Sequence, residues 1–227
     1  MGVEEELRDA ANPVKAKILA GFFKTGKGEY GEGDVFLGIS VPEQRKIASK
    51  HASADLSEIS RLLSSKIHEH RLTALMILVK KYESAREKKR IVSFYVRNLK
   101  RVNNWDLVDL TAPAILGDWL VGKDRKMLYR LAKSPHLWTR RIAIVATLTL
   151  IRCGELRDTF ALCARLLNDK HDLIHKACGW MLRETGKRDE RALDGFLAKH
   201  AAAMPRTMLR YAIERMPLRK RNMYMRK

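Results

Sequence analysis

Long apolar runs are missing from this chain of 227 residues: the longest, Ile142 to Ile151, contains two threonines and is too short to span a bilayer, so it reads as a helix buried on most sides. Cysteine is sparse. Cys153, Cys163 and Cys178 form no CxxC pair, and each falls in a helical apolar pattern, which predicts buried thiols in a reducing cytosol. No stretch alternates apolar and polar residues as a strand would, so a sheet-based fold is excluded. Met1 to Ala10 is acidic without an apolar signal segment, and Gly2 is not followed by Ser or Thr at position 6. Neither export nor myristoylation is expected, and the predicted location is cytoplasmic.

Acid is also in short supply. There are 26 Asp and Glu against 45 Lys and Arg, a formal net charge of +19, which makes a polyanion the default partner. The bases are spread along the chain, as on a folded basic surface, although Arg219-Lys220-Arg221 and Arg226-Lys227 make the end denser. With 46% hydrophobic residues the chain can bury a substantial core. One domain over 1–227 is expected, with 217–227 a basic segment that is a candidate for poor order.

Helical spacing begins at Glu4 to Phe23, where Pro13 either kinks one helix or separates two. A glycine loop follows, and Gly26-Lys27-Gly28-Glu29-Tyr30-Gly31 matches GxGxxG literally. A dinucleotide site needs that motif between a strand and a helix; here it follows a helix and runs on into a loop, so a flexible turn with a basic tip is predicted. Pro42, with Glu43 beside it, starts a helix to about His51. Further helices are predicted over Asp55 to Ser64, His68 to Tyr82, Arg86 to Leu99, Trp105 to Leu116, Asp124 to Ala132, Trp138 to Ile151, Leu156 to Leu167, Asp172 to Thr185, Arg191 to His200 and Pro205 to Met216.

These helices repeat. Arg141, Lys176 and Arg210 sit on the second helices of successive pairs at separations of 35 (176 − 141) and 34 (210 − 176), and Arg71 precedes Arg141 by twice that period. The predicted fold is all-α, a HEAT-like α-solenoid of paired antiparallel helices. Its second helices would line a concave face whose recurring basic position suits a duplex backbone. The Trp105 to Leu116 helix fills the missing register, and there the stripe turns acidic, at Asp109.

Within Asn103-Asn104-Trp105-Asp106-Leu107-Val108-Asp109-Leu110, Trp105 and Asp109 share a helix face at i, i+4, and Asp106 diverges from it. Asn103, Asn104 or Asp106 can cap the helix, but Asp109 lies a turn inside and needs another reason. Trp138 reads as core. Trp180 is flanked by Lys176 at i−4 and Arg183 at i+3, an indole among phosphate-binding charges. His171 and His175, and His68-Glu69-His70, lack the companions a zinc site needs and read as surface or capping residues; no metal or cofactor is expected. No Ser-His-Asp or Cys-His nucleophile signature is present.

Several pieces together resemble the AlkD-type family of DNA alkylation-repair proteins, glycosylases built from HEAT-like repeats. They are Phe36-Leu37-Gly38-Ile39 with Pro42-Glu43, Trp105-Asp106-Leu107-Val108-Asp109, Leu137-Trp138-Thr139-Arg140-Arg141, Lys176-Ala177-Cys178-Gly179-Trp180-Met181-Leu182-Arg183-Glu184, and Arg206-Thr207-Met208-Leu209-Arg210. The resemblance implies excision of N3- and N7-alkylated purines from duplex DNA by a cofactor-free monomer. It puts the catalytic aspartate at Asp109, the active-site tryptophans at Trp105 and Trp180, and the supporting arginine at Arg141. Arg45, Lys176, Arg183, Arg210 and Lys27 are the expected DNA-binding residues. Where the family's best-known form carries an active-site tyrosine, this chain offers Phe22, and its loop from Thr25 to Asp34 is longer. A non-catalytic binder of distorted or branched DNA, and a helical scaffold for acidic proteins or RNA, are the rival readings.

Overall fold

A computed structural model describes residues 2–226; Met1 and Lys227, the two ends of the expected domain, lie outside the described residues. Among these the chain is all-helical, with one isolated parallel bridge between Val35 and Ile67 and no strand. Residues cluster into two compact units, Met1–Thr111 and Ala112–Lys227. Within each, helices pack on near neighbours in the chain, the α-solenoid-like arrangement predicted from periodicity.

The N-terminal unit holds α1 (Val3–Asp9), α2 (Pro13–Phe22), α3 (Val41–Lys50), α4 (Leu56–Leu63), α5 (His68–Ser84), α6 (Lys88–Arg97), a 3-10 turn (Leu99–Arg101) and α7 (Trp105–Thr111). Pro13 separates two helices: Asn12 accepts the Lys15 N–H at 3.0 Å, and the proline takes the first turn, where its missing donor is not needed. Ser40 and Glu43 form a capping box in front of α3, with Pro42 inside the first turn. Helices α3, α4, α6 and α7 all pack on α5. That is why α5 is buried continuously from His68 to Val79.

The loop between α2 and α3 is held from a distance. Glu69 at the start of α5 accepts the N–H groups of Leu37, Gly38 and Ile39 at 3.0, 2.8 and 3.3 Å. Gly38 has φ +85°, and a Cβ there would lie 2.1 Å from the Asn12 carbonyl, so glycine is needed for both backbone angle and close approach. Farther out, the Gly26 and Gly28 N–H groups bond to Glu29 and Glu32, each at 2.9 Å. The GxGxxG match is therefore a turn closed by its own carboxylates, the opposite of a phosphate cradle.

The C-terminal unit opens with a π segment (Ala112–Gly117), then α8 (Asp118–Leu120), α9 (Lys126–Leu131), α10 (Leu137–Val145), α11 (Thr147–Arg152), α12 (Arg157–Arg165), α13 (Asp172–Arg188), α14 (Glu190–His200), α15 (Arg206–Ala212) and α16 (Leu218–Met225). The α-helix predicted over Trp105 to Leu116 stops at Thr111; Pro113, with no N–H to donate, lies in the π segment. The run Ile142 to Ile151 divides at Ala146, where the Thr147 hydroxyl donates back to the Ile144 carbonyl at 2.7 Å and competes with the helical ladder. Helix α13 is the axis of this unit, packed by α10, α11, α12, α14 and α15. Gly179 permits a close approach by α15: a Cβ there would lie 2.5 Å from the Met208 carbonyl.

Helix α16, in the basic C-terminal segment, is tied to α14 by Lys220 on Glu190 (2.6 Å) and Asp194 (2.8 Å) and by the Tyr224 hydroxyl on Asp194 (3.2 Å). One expectation about this unit changes. Of the three predicted buried thiols, Cys163 and Cys178 are buried but Cys153 is exposed, because it falls at the C-cap of α11 rather than within its apolar stripe.

Candidate functional site

Helix α7 starts at a buried asparagine: the Asn104 carbonyl takes the first helical bond from Val108 at 3.1 Å, and its side-chain oxygen accepts from the Trp105 N–H at 2.8 Å. Leu107, Val108 and Thr111 face the core, which leaves Trp105 and Asp109, one turn apart, half-buried at the rim. Two aromatic contacts fix the indole. Phe23 stacks on Trp105 at 5.3 Å between centroids, and Phe22 meets it edge-on at 6.0 Å while remaining 62% exposed. The position where the resemblance looks for a tyrosine thus lies against Trp105, but it presents no hydroxyl.

Behind this rim is a charge network that no local motif announces. His68 Nε2 bonds Asp106 Oδ2 at 2.8 Å, His68 Nδ1 bonds Asp34 Oδ2 at 3.1 Å, and Arg71 Nη2 pairs with the same Asp34 oxygen at 2.7 Å. Burial pushes the His68 imidazole down, yet the bonds to Asp106 and Asp34 outweigh it and raise its pKa to about 9. Burial likewise pushes the Asp34 carboxyl up, and the His68 bond and Arg71 charge hold it below its ordinary value. Two cations then balance two anions in a nearly dry site, with the Phe36 ring stacked on the imidazole at 4.7 Å.

This network corrects three readings. His68 and His70 are buried, not surface residues. Asp106 does more than cap, since Oδ1 accepts the Leu107 N–H at 2.9 Å while Oδ2 holds His68. Arg71, the earliest member of the basic series, is buried, with Nη1 donating to the Ser65 carbonyl at 2.9 Å, so it offers no charge to a surface partner. A cleft of about 260 Å³ lined by Ile18, Phe23, Phe36, His68 and Asp106 lies beside it in the same unit. Arg45 on α3 and Lys27 at the loop tip are exposed elsewhere on this unit.

In the C-terminal unit, Arg141 on α10 is 5% exposed, and its Nη1 donates to the Leu173 carbonyl of α13 at 2.7 Å. On α13, Trp180 is half-buried between Lys176, paired with Asp172 at 2.8 Å, and Arg183, paired with Glu214. Arg210 on α15 is exposed and shares a cleft with Lys176. Trp138 is core. His171 caps α13, its Nδ1 accepting the Leu173 N–H at 3.1 Å, while His175 Nε2 bonds the Asp169 carbonyl at 2.6 Å. Among the described residues no group of three or more His, Cys, Asp or Glu is placed to hold a metal ion, and no helix is long and apolar enough to cross a membrane.

An all-helical chain with a Trp-Asp helix and a basic, tryptophan-bearing helix defines a class, and the comparisons give it a family. The model of the DNA alkylation repair enzyme family matches residues 3–216, and the chain belongs to that family. Its fold is similar to that of a solved structure described as a predicted DNA alkylation repair enzyme from Enterococcus faecalis. The two chains are 17% identical with a TM-score of 0.74, covering 92% of this chain and 97% of that one. No curated protein matches the chain.

Proposed function

We propose that the protein is a DNA glycosylase that excises N3- and N7-alkylated purines from duplex DNA and leaves an abasic site. The observation that carries the reading is Asp109: a half-buried carboxylate one turn beyond Trp105, on a capped helix, in a DNA alkylation repair family member of charge +19. A purine alkylated at N3 or N7 is already cationic and departs as a neutral base, so no second acid is needed to activate the leaving group. Asp109, as the anion, stabilises the oxocarbenium-like sugar and orients or deprotonates the attacking water. Trp105 and Trp180 pack on the deoxyribose, Arg141 supports the aspartate and the backbone, and Arg45, Lys176, Arg183, Arg210 and Lys27 hold phosphates. On this reading the enzyme is a cofactor-free cytoplasmic monomer, and the repeats are HEAT-like, with the accessible basic positions Lys176 and Arg210 on their concave face.

The test is Asp109→Asn, which keeps size and one acceptor oxygen but removes the charge. Release of 3-methyladenine and 7-methylguanine from methylated duplex is expected to fall by about 10²–10³, the loss typical of one preorganised electrostatic partner. Duplex binding is expected to hold or tighten, since an anion leaves a phosphate-facing site. Wild-type excision by the variant, or no base release by the wild type, would replace this reading with that of a non-catalytic binder of distorted DNA.

A further inference from the structure

We propose that the cleft walled by α13, α15 and α16 is a phosphate subsite for the DNA backbone, and that Arg221 of the C-terminal helix is one of its two principal ligands, with Arg210. The proposal rests on the DNA-binding reading above and extends it to a helix that charge composition alone would dismiss as a tail.

The cleft has a volume of about 560 Å³, room for a phosphodiester with its sugars, and is lined by Asp172, Lys176, Thr207, Arg210, Tyr211 and Arg221 among others. Its acids are already engaged. Asp172 is held by Lys176 at 2.8 Å, and Glu214, also on the wall, is held by Arg183. Arg210 and Arg221 make no ion pair among the described residues and are both exposed, so two guanidinium groups line one space without a carboxylate of their own. Like charges so placed repel, and an anion between them converts that repulsion into attraction. A phosphate suits guanidinium forks because its oxygens accept paired N–H bonds.

The placement of Arg221 is dictated by the fold. Lys220 and Tyr224, at i, i+4, pin α16 to Glu190 and Asp194 of α14. The next residues round, Arg221 and Met225, again at i, i+4, therefore line the cleft. Arg219, on the same helix and also exposed, is not among the lining residues and serves as an internal control.

The experiment measures binding of the full chain to undamaged duplex DNA by fluorescence anisotropy across a salt titration, with circular dichroism to verify folding. Arg221→Gln is expected to flatten the log–log salt slope by about 0.9, one phosphate contact, while Arg219→Gln keeps the wild-type slope and Arg221→Lys retains most of it. Arg210→Gln probes the same cleft from α15 and is expected to lose a similar amount. A wild-type slope in Arg221→Gln, or an equal loss in Arg219→Gln, overturns the subsite alone. Absence of salt-dependent duplex binding by the wild type overturns the DNA reading and the subsite together, so the two failures are distinguishable.

Discussion

Helices α5 and α13 are each 17 residues long, and each is the axis of its unit, yet they use charge in opposite ways. On α5, His68, Glu69 and Arg71 are buried, and every one is answered inside the unit: by Asp34 and Asp106, by three backbone N–H groups, and by Asp34 with the Ser65 carbonyl. On α13, Ile174, Ala177, Cys178, Met181 and Leu182 make a buried stripe, while Lys176, Arg183, Lys187 and Arg188 stand at its edges or outside it. A buried charge must be neutralised locally, because an unpaired ion there is costly; charges at the surface of α13, such as Lys176 on Asp172 and Arg183 on Glu214, sit in solvent-accessible pairs that a partner can exchange. The net charge of +19 therefore overstates what is offered to a polyanion, and burial sorts structural bases from available ones.

The sharpest way to break that contrast is to remove one base from each helix. Arg71→Met leaves Asp34 without its guanidinium in a buried site and is expected to cost about 3–5 kcal/mol in urea denaturation. Arg183→Met removes a half-buried surface pair and is expected to cost less than about 1 kcal/mol. Equal losses would show that the two helices do not differ in this respect. A second measurement uses pH. The folded pKa of His68, about 9, lies above its ordinary 6.5, so the native state binds the proton more tightly. The stabilisation it brings is complete below about pH 6.5, declines by about 1.4 kcal/mol per pH unit above that, and is gone once pH has risen through about 9, a total of about 3 kcal/mol. Denaturation of the wild type between pH 6 and 9.5 is expected to show that decline, and His68→Gln to lack it.

The same distinction explains what the sequence revealed. Periodicity, Pro13, and the Pro42-Glu43 pair located most helices because those signals act within a turn or two of the residues that carry them. The division at Ala146 was hidden because neither glycine nor proline marks it; a threonine hydroxyl does. Helix α16 was hidden by its charge, since its anchors, Glu190 and Asp194, are 26 to 30 residues away. Asp109, Trp105 and Trp180 stood out as an acid and two indoles in unusual company. The Asp34, His68 and Asp106 network did not, because its members are 34 and 38 residues apart and follow no motif. Its legible traces were the His68-Glu69-His70 cluster, which read as surface or capping residues, and Asp106, for which capping accounted without further cause.

The smallest expected effect is also the cleanest on binding. Lys176 is 40% exposed and its pair with Asp172 spans i, i+4, an interaction worth about 0.3–0.5 kcal/mol, so Lys176→Ala is expected to leave stability almost unchanged. If α13 presents its bases to DNA, the same substitution flattens the salt dependence of duplex binding by up to about 0.9 in the log–log slope. Arg141→Ala cannot serve the same purpose, although both residues belong to the series at the repeat period. Arg141 is buried and donates to the Leu173 carbonyl of α13, so its removal breaks a hydrogen bond from a charged group in a packed site, at a cost of about 1.5–3 kcal/mol. Measuring both variants by denaturation and by salt titration separates a base that binds from a base that also builds. An unchanged slope in Lys176→Ala would mean that the open side of α13 is merely solvated.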